Sequence, residues 1–177
     1  MPMKTDFVNG RDLKVGSVFI PAGETSSFYK VTDINISKPG KHGSAKSMIT
    51  AKNIVNGKTY TNTYLDSSDK VCQILDFGYI YKVIYDKKGS ELLVNLETGD
   101  CLYYQSFAKE DQQRVEDEFT KFVDKGEGLV NSEGSPLVVK YSELVDTNNN
   151  ITLMFWELLY IKPEDLPRYG VNDYVAA

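Results

Sequence analysis

The chain has 177 residues, 41% of them hydrophobic, 25% charged and 12% aromatic, with a formal net charge of −5. That length suits one large domain or two small ones, and the apolar content is enough for packed cores, which excludes wholesale disorder. The longest apolar run, 151–161, is interrupted by Glu157 and is too short for a membrane helix, so no membrane association is expected.

Residues 1–15 lack the apolar stretch of a secretory signal, so the mature chain is expected to start near Met1 and to be cytoplasmic. Cys72 and Cys101 are too few for a disulfide framework or a four-cysteine zinc site, and too far apart for a redox pair. They suit a reducing compartment, and both are expected to be small core residues.

In chain order, residues 17–20, 28–36, 45–55, 59–64 and 71–75 cluster or alternate β-branched and aromatic residues and predict strands. Asn56-Gly57 predicts a type I′ hairpin, which needs positive φ at both central residues. Phe77-Gly78 is the expected junction, giving domains 1–76 and 77–177. The second begins with strands at 79–85, 91–97 and 101–107, with turns at Lys88-Gly89 and Thr98-Gly99-Asp100. A helix over 110–124 follows. Val115, Phe119, Phe122 and Val123 share its apolar face, with Asp111, Glu116, Asp117, Glu118 and Lys121 toward water. After a polar loop, strands at 137–145 and 151–161 flank an Asn148-Asn149-Asn150 turn, and Trp156 in the second of them is expected in the core. The tail from Lys162 reads as irregular. Three strands, a helix and two strands is the element order of a five-stranded barrel such as an OB-fold. The fold class is therefore mainly β.

The net charge argues against nucleic acid only until it is divided. Residues 1–76 carry net +3 and residues 77–177 net −8. Between Lys30 and Lys58, six lysines face Asp33 alone. A basic stripe inside an acidic chain is a local electrostatic footprint for a polyanion.

The stripe centres on Ser37-Lys38-Pro39-Gly40-Lys41-His42-Gly43-Ser44-Ala45-Lys46, which lies between two strands. Gly40 and Gly43 bracket the apex and permit positive φ and close backbone approach. Pro39 limits the freedom lost on docking. Lys38, Lys41 and Lys46 put three ammonium groups on one hairpin tip, suited to phosphate contacts. The same segment imitates a nucleotide-binding G-x-x-x-x-G-K-[ST] loop, but Ala45 replaces the glycine before the lysine and a strand follows where a helix is required. His42 is the sole histidine, which leaves no histidine relay or two-histidine metal site; neither a catalytic nor a metal-ligating residue is expected, and the protein is read as a non-enzyme. A plain solvated loop is the bland alternative.

This string resembles the modification loop of the translation factor 5A family, the archaeal and eukaryotic relative of bacterial elongation factor P. The likeness extends to Arg11-Asp12-Leu13-Lys14-Val15-Gly16-Ser17 before the loop. After it, 51–58 looks like the family's next hairpin, so roughly 10–76 is covered. The resemblance implies an N-terminal SH3-like (KOW-like) barrel followed by a C-terminal OB-fold. It implies that Lys41 is converted to hypusine by deoxyhypusine synthase, with spermidine as donor, and by deoxyhypusine hydroxylase. No other cofactor is expected. It further implies partners: the ribosome, through rRNA and the acceptor end of peptidyl-tRNA, where the factor relieves stalls such as those at consecutive prolines and assists termination. Ser37, Lys38, Pro39, Gly40, His42, Gly43, Ser44, Ala45 and Lys46 are then the surroundings of Lys41, contacting RNA or the modifying enzymes. Two other readings stay open: a paralogue repurposed as a structural or assembly protein, and a general RNA-binding OB protein.

Overall fold

The computed structural model describes residues 3–24, 27–38, 45–146 and 148–176. They are mainly β, with one α-helix among them, and divide into two compact units. One unit holds Pro2–Phe77 with Val145–Ile151; the other holds Gly78–Leu144 with Thr152–Ala177.

In the first unit, β1 (Lys4–Val8), β2 (Val18–Ile20), β3 (Tyr29–Ser37), β4 (Lys46–Asn53), β5 (Thr59–Tyr64) and β6 (Val71–Asp76) form one antiparallel sheet in the order β1-β6-β2-β3-β4-β5. Strict alternation along β4 buries Ser47, Ile49, Ala51 and Asn53 and turns Lys46, Met48, Thr50 and Lys52 the other way, the period-2 signature of a half-buried strand. The buried face closes on Leu13, Phe19, Val31, Ile49, Ala51, Tyr64 and Val71. Phe19, Tyr29 and Tyr60 pack their rings together, with Tyr29 and Tyr60 centroids 4.8 Å apart. A short 3-10 turn, Gly10–Asp12, brings Gly10 flat against the Tyr64 ring, so closely that a Cβ there would overlap it.

Two local expectations fail here. Strand β1 is absent from the sequence reading, because its exposed positions carry no alternation and its pairing with β6 is remote in sequence. Asn56-Gly57 is not a type I′ turn. Five residues join β4 to β5, only Gly57 takes positive φ (73°), and the Asn53 carboxamide oxygen accepts from the amides of Val55 and Asn56.

In the second unit, β7 (Ile80–Val83), β8 (Asp86–Lys88), β9 (Glu91–Leu93), β10 (Cys101–Tyr103), β11 (Leu137–Val145) and β12 (Ile151–Tyr160) form two three-stranded sheets, β10-β9-β8 and β12-β11-β7. The strand expected at 79–85 is broken: the Ile84 amide donates to Leu137 O and the Tyr85 amide to Leu93 O, so the chain passes from one sheet to the other at that point. At the opposite edges, Phe107 makes a parallel bridge to Leu153 and the Ala108 amide donates to Leu153 O at 2.7 Å. The two sheets are thereby joined on both sides around Ile84, Leu92, Phe107, Leu137, Val139, Tyr141 and Phe155, with the helix α1 (Lys109–Phe119) between the third and fourth barrel strands. That is the element order of an OB-type barrel.

The helix departs from its expected pattern in two places. Phe122 and Val123 do pack on the core, but they sit in a π-helical turn, Thr120–Asp124. Asp111, expected in water, is buried: it accepts from the Phe155 amide at 3.0 Å and pairs with Arg114, docking the first turn of α1 onto β12. Glu118, also expected outside, has a buried carboxylate oxygen. Cys72 and Cys101 are half-buried rather than core. Trp156 is half-exposed, its indole N–H held by Ser142 Oγ at 2.8 Å and its ring edge-on to Tyr79. The tail is ordered: a 3-10 segment, Pro163–Tyr169, seats Leu166 and Val171 against Val83, Val138 and Ile161.

Candidate nucleic-acid interface

The β3–β4 hairpin pairs from Tyr29↔Asn53 at its base to Ser37↔Lys46 at its far end. A register shift between Val31 and Asp33 accommodates one extra residue, Thr32, whose hydroxyl donates to Thr50 O at 3.2 Å. The shift decides which residues face out. Below it, Lys30 lies opposite Lys52; above it, Asp33, Asn35 and Ser37 lie opposite Thr50, Met48 and Lys46. Thr59, Thr61 and Thr63 of β5 continue the same side. Lys30, Lys46 and Lys52 therefore share one face of a strand pair with Asp33, edged by hydroxyls: a net basic surface whose donors suit phosphate oxygens.

Of the expected site residues, Ser37, Lys38 and Lys46 are exposed and Ala45 is half-buried at the mouth of the hairpin. Pro39, Gly40, Lys41, His42, Gly43 and Ser44 lie outside the described residues. The paired arms nevertheless fix the place from which that segment departs and to which it returns. Among the described residues, no group of three or more His, Cys, Asp or Glu is arranged to hold a metal ion, and no helix is long and apolar enough to cross a membrane.

The sequence reading missed a second set of residues beside this mouth. Arg11 is fixed by an ion pair with Asp66, while Asn9 ties the same turn down by donating to Leu65 O at 3.0 Å and accepting from the Arg11 amide. Arg11, Asp12 and Ser47 line one cavity at the base of the loop. No local signal reveals this, because Ser47 is distant in sequence from the other two.

Residues 13–69 match the family model described as translation initiation factor 5A-like, N-terminal. Translation initiation factor 5A of Nanoarchaeum equitans is 47% identical over 47 residues, which cover 27% of this chain and 32% of that protein. The Methanothermobacter thermautotrophicus protein of the same name is 43% identical over 56 residues, 32% of this chain and 41% of that protein. The matches thus span less than half the length of these curated relatives. The fold likeness is broader. A translation initiation factor eIF-5A family protein from Naegleria fowleri has a TM-score of 0.51 at 21% identity, covering 87% of this chain and 97% of that one. The eukaryotic translation initiation factor 5A from Methanococcus jannaschii has 0.52 at 20%, covering 88% and 95%.

Residues 13–69 are thus similar to the N-terminal part of translation initiation factor 5A-like proteins, and the chain shares the fold of the two solved structures.

Proposed function

We propose that this protein acts on the ribosome as a non-enzymatic elongation factor, through a hypusine on Lys41. The observation that carries the reading is the ten-residue string 37–46, which falls inside the family match and bridges the two arms of a hairpin with a lysine-bearing face. Hypusine is made by adding an aminobutyl group from spermidine to the lysine and hydroxylating it, so deoxyhypusine synthase and deoxyhypusine hydroxylase are the modifying partners. The product roughly doubles the reach of lysine and carries two cationic nitrogens. A thin dication enters an RNA-lined channel too narrow for a folded domain and leans on phosphates there. It holds the acceptor end of peptidyl-tRNA in a reactive geometry. The bond-making chemistry stays with the ribosome; the factor contributes position. Relief of stalls at consecutive prolines and help in termination follow from that role, as does a cytoplasmic location.

The test is co-sedimentation with ribosomes and translation of a polyproline reporter, comparing wild type with Lys41→Arg. The proposal expects wild type to sediment with ribosomes and rescue the reporter, and the variant to lose rescue. A protein that never co-migrates, or an arginine variant with full activity, contradicts it and favours the scaffold reading.

A further inference from the structure

The six-stranded sheet of the first unit ends on β1 at one side and on β5 at the other. An edge strand exposes a row of amides and carbonyls, and proteins guard such rows with charges, bulges or proline. Strand β1 is guarded: it carries Lys4 and Asp6, and its register shifts between Lys4 and Thr5. Strand β5 is not. It reads Thr-Tyr-Thr-Asn-Thr-Tyr, without charge, glycine or proline, and is exposed at Thr59, Thr61, Asn62 and Thr63. Among the described residues β4 is its one neighbour in the sheet. The Thr63 amide donates to the Asn62 carboxamide oxygen at 2.9 Å and so points away from β4. By the two-residue alternation of an antiparallel ladder, Thr59 and Thr61 turn their amides and carbonyls the same way.

The ends of the strand decide what fits that row. Lys58 immediately precedes β5, and Asp66 follows shortly after its last residue, Tyr64. A second copy can lie antiparallel to β5 with Asn62 opposite its own counterpart across a two-fold axis. That register sets Thr61 opposite the partner's Thr63, so the two outward rows of amides and carbonyls meet. Threonine pairs suit such cross-strand contact. The same register brings Lys58 opposite the partner's Asp66, and by symmetry Asp66 opposite the partner's Lys58, so the charges at both ends are complementary. Beside the strand lies a cavity of about 240 Å³ with polar walls, among them Tyr60, Asn62, Tyr64, Ser68 and Asp69, which leaves room for a second carboxamide at the axis.

We propose that the free edge of β5 is a homodimer interface, in which a second copy of this chain adds its own β5 antiparallel across a two-fold axis. The contact is isologous, and its main-chain hydrogen bonds extend the sheet from one copy into the other. A pair of six-residue strands is smaller than a standard interface, so monomer and dimer exchange with concentration. The axis stands perpendicular to the sheet. The net basic faces that carry Lys30, Lys46 and Lys52 in the two copies therefore look the same way and form one surface. The inference does not depend on the ribosomal role.

The test is sedimentation equilibrium of the full chain, joined to site-directed cross-linking. The mass is expected to rise from 20.0 kDa toward twice that value over roughly 1 μM to 1 mM. Opposed residues without ladder bonds stand about 4.5 Å apart at Cα, which is inside disulfide range. Asn62→Cys, with Cys72 and Cys101 changed to serine, is therefore expected to give a disulfide-linked dimer under mild oxidation. Thr59→Cys in the same background is expected to stay monomeric, because the register holds the two copies of that residue far apart. Thr61→Pro removes an outward amide that the sheet does not use, and Thr61→Lys places a charge on the edge. Both are expected to keep the melting temperature and to hold the mass at 20.0 kDa. A chain still monomeric at the highest concentration, or a dimer that Thr61→Lys leaves intact, overturns the proposal. Cross-linking at Thr59→Cys without cross-linking at Asn62→Cys overturns it too, since the strands then meet in another register.

Discussion

Lys30 and Lys52 stand directly opposite each other across the β3–β4 ladder, two cations on one side of the same strand pair. Like charges so placed oppose folding, on the order of 0.5 kcal/mol, and a polyanion would turn that repulsion into attraction. Lys52→Thr is therefore expected to leave stability unchanged or slightly raised in urea unfolding. The same change should weaken RNA binding and reduce the salt slope by about 0.7 for each phosphate that Lys52 neutralises. An unchanged slope would remove Lys52 from the interface.

Gly10 is required by close approach, since its backbone lies against the face of Tyr64. Tyr64 cannot easily retreat: it is 3% exposed, and its hydroxyl is hydrogen-bonded to that of Tyr60 at 2.9 Å. Gly10→Ala forces an overlap with a packed ring and is expected to destabilise the first unit by about 2 kcal/mol, read as a lower denaturation midpoint.

The arms of the hairpin are legible in the sequence because β4 alternates over its whole length and Ile34, Ile36 and Ile49 supply β-branched residues to both strands. The order of the second unit is legible for a similar reason, since its long strands β11 and β12 are strongly apolar. What escapes are features decided by distant partners. Strand β1 gains its place only through β6. Asp111 looks like one more solvated helix carboxylate until the Phe155 amide is brought to it. The single-residue shift at Thr32 leaves no trace in composition, yet it determines which lysines share a face. Trp156 reads as core from its apolar neighbours, but the ring is half-exposed, with its indole N–H turned in to the buried Ser142 Oγ.

Asp111 supplies the next prediction. It is 2% exposed, accepts from the Phe155 amide at 3.0 Å, and pairs with Arg114, which also donates to Trp156 O at 2.7 Å. Asp111→Ala strips the Phe155 amide of its acceptor and is expected to cost about 2 kcal/mol. Asp111→Asn, which keeps an acceptor oxygen, should recover part of that loss. Thermal melts of the two variants separate lost hydrogen bonding from lost charge.

Glu118 and Asp146 impose opposite pH dependences. Burial raises the Glu118 carboxyl above its usual range, against the opposing effects of the Leu158 amide, Arg114 and Lys121. Its folded pKa therefore lies above its unfolded one, so its contribution is most favourable at acid pH and is lost as pH rises through the folded value. Asp146 runs the other way. Desolvation pushes its carboxyl up, but hydrogen bonds from Asn150 and Asn148 outweigh it and hold the group low. The stability Asp146 adds is present above the ordinary carboxylate range and is lost as pH falls through the lowered value. Glu118→Gln is expected to melt at or above wild type at neutral pH, with the advantage shrinking on acidification; an advantage that grew toward acid pH would reverse the assignment.

The account turns on Lys41, and the mass of the Lys41 peptide from protein purified from its native source tests it most directly. A lysine carrying a hydroxylated aminobutyl group is the expected result. A Lys41 found wholly unmodified contradicts the account.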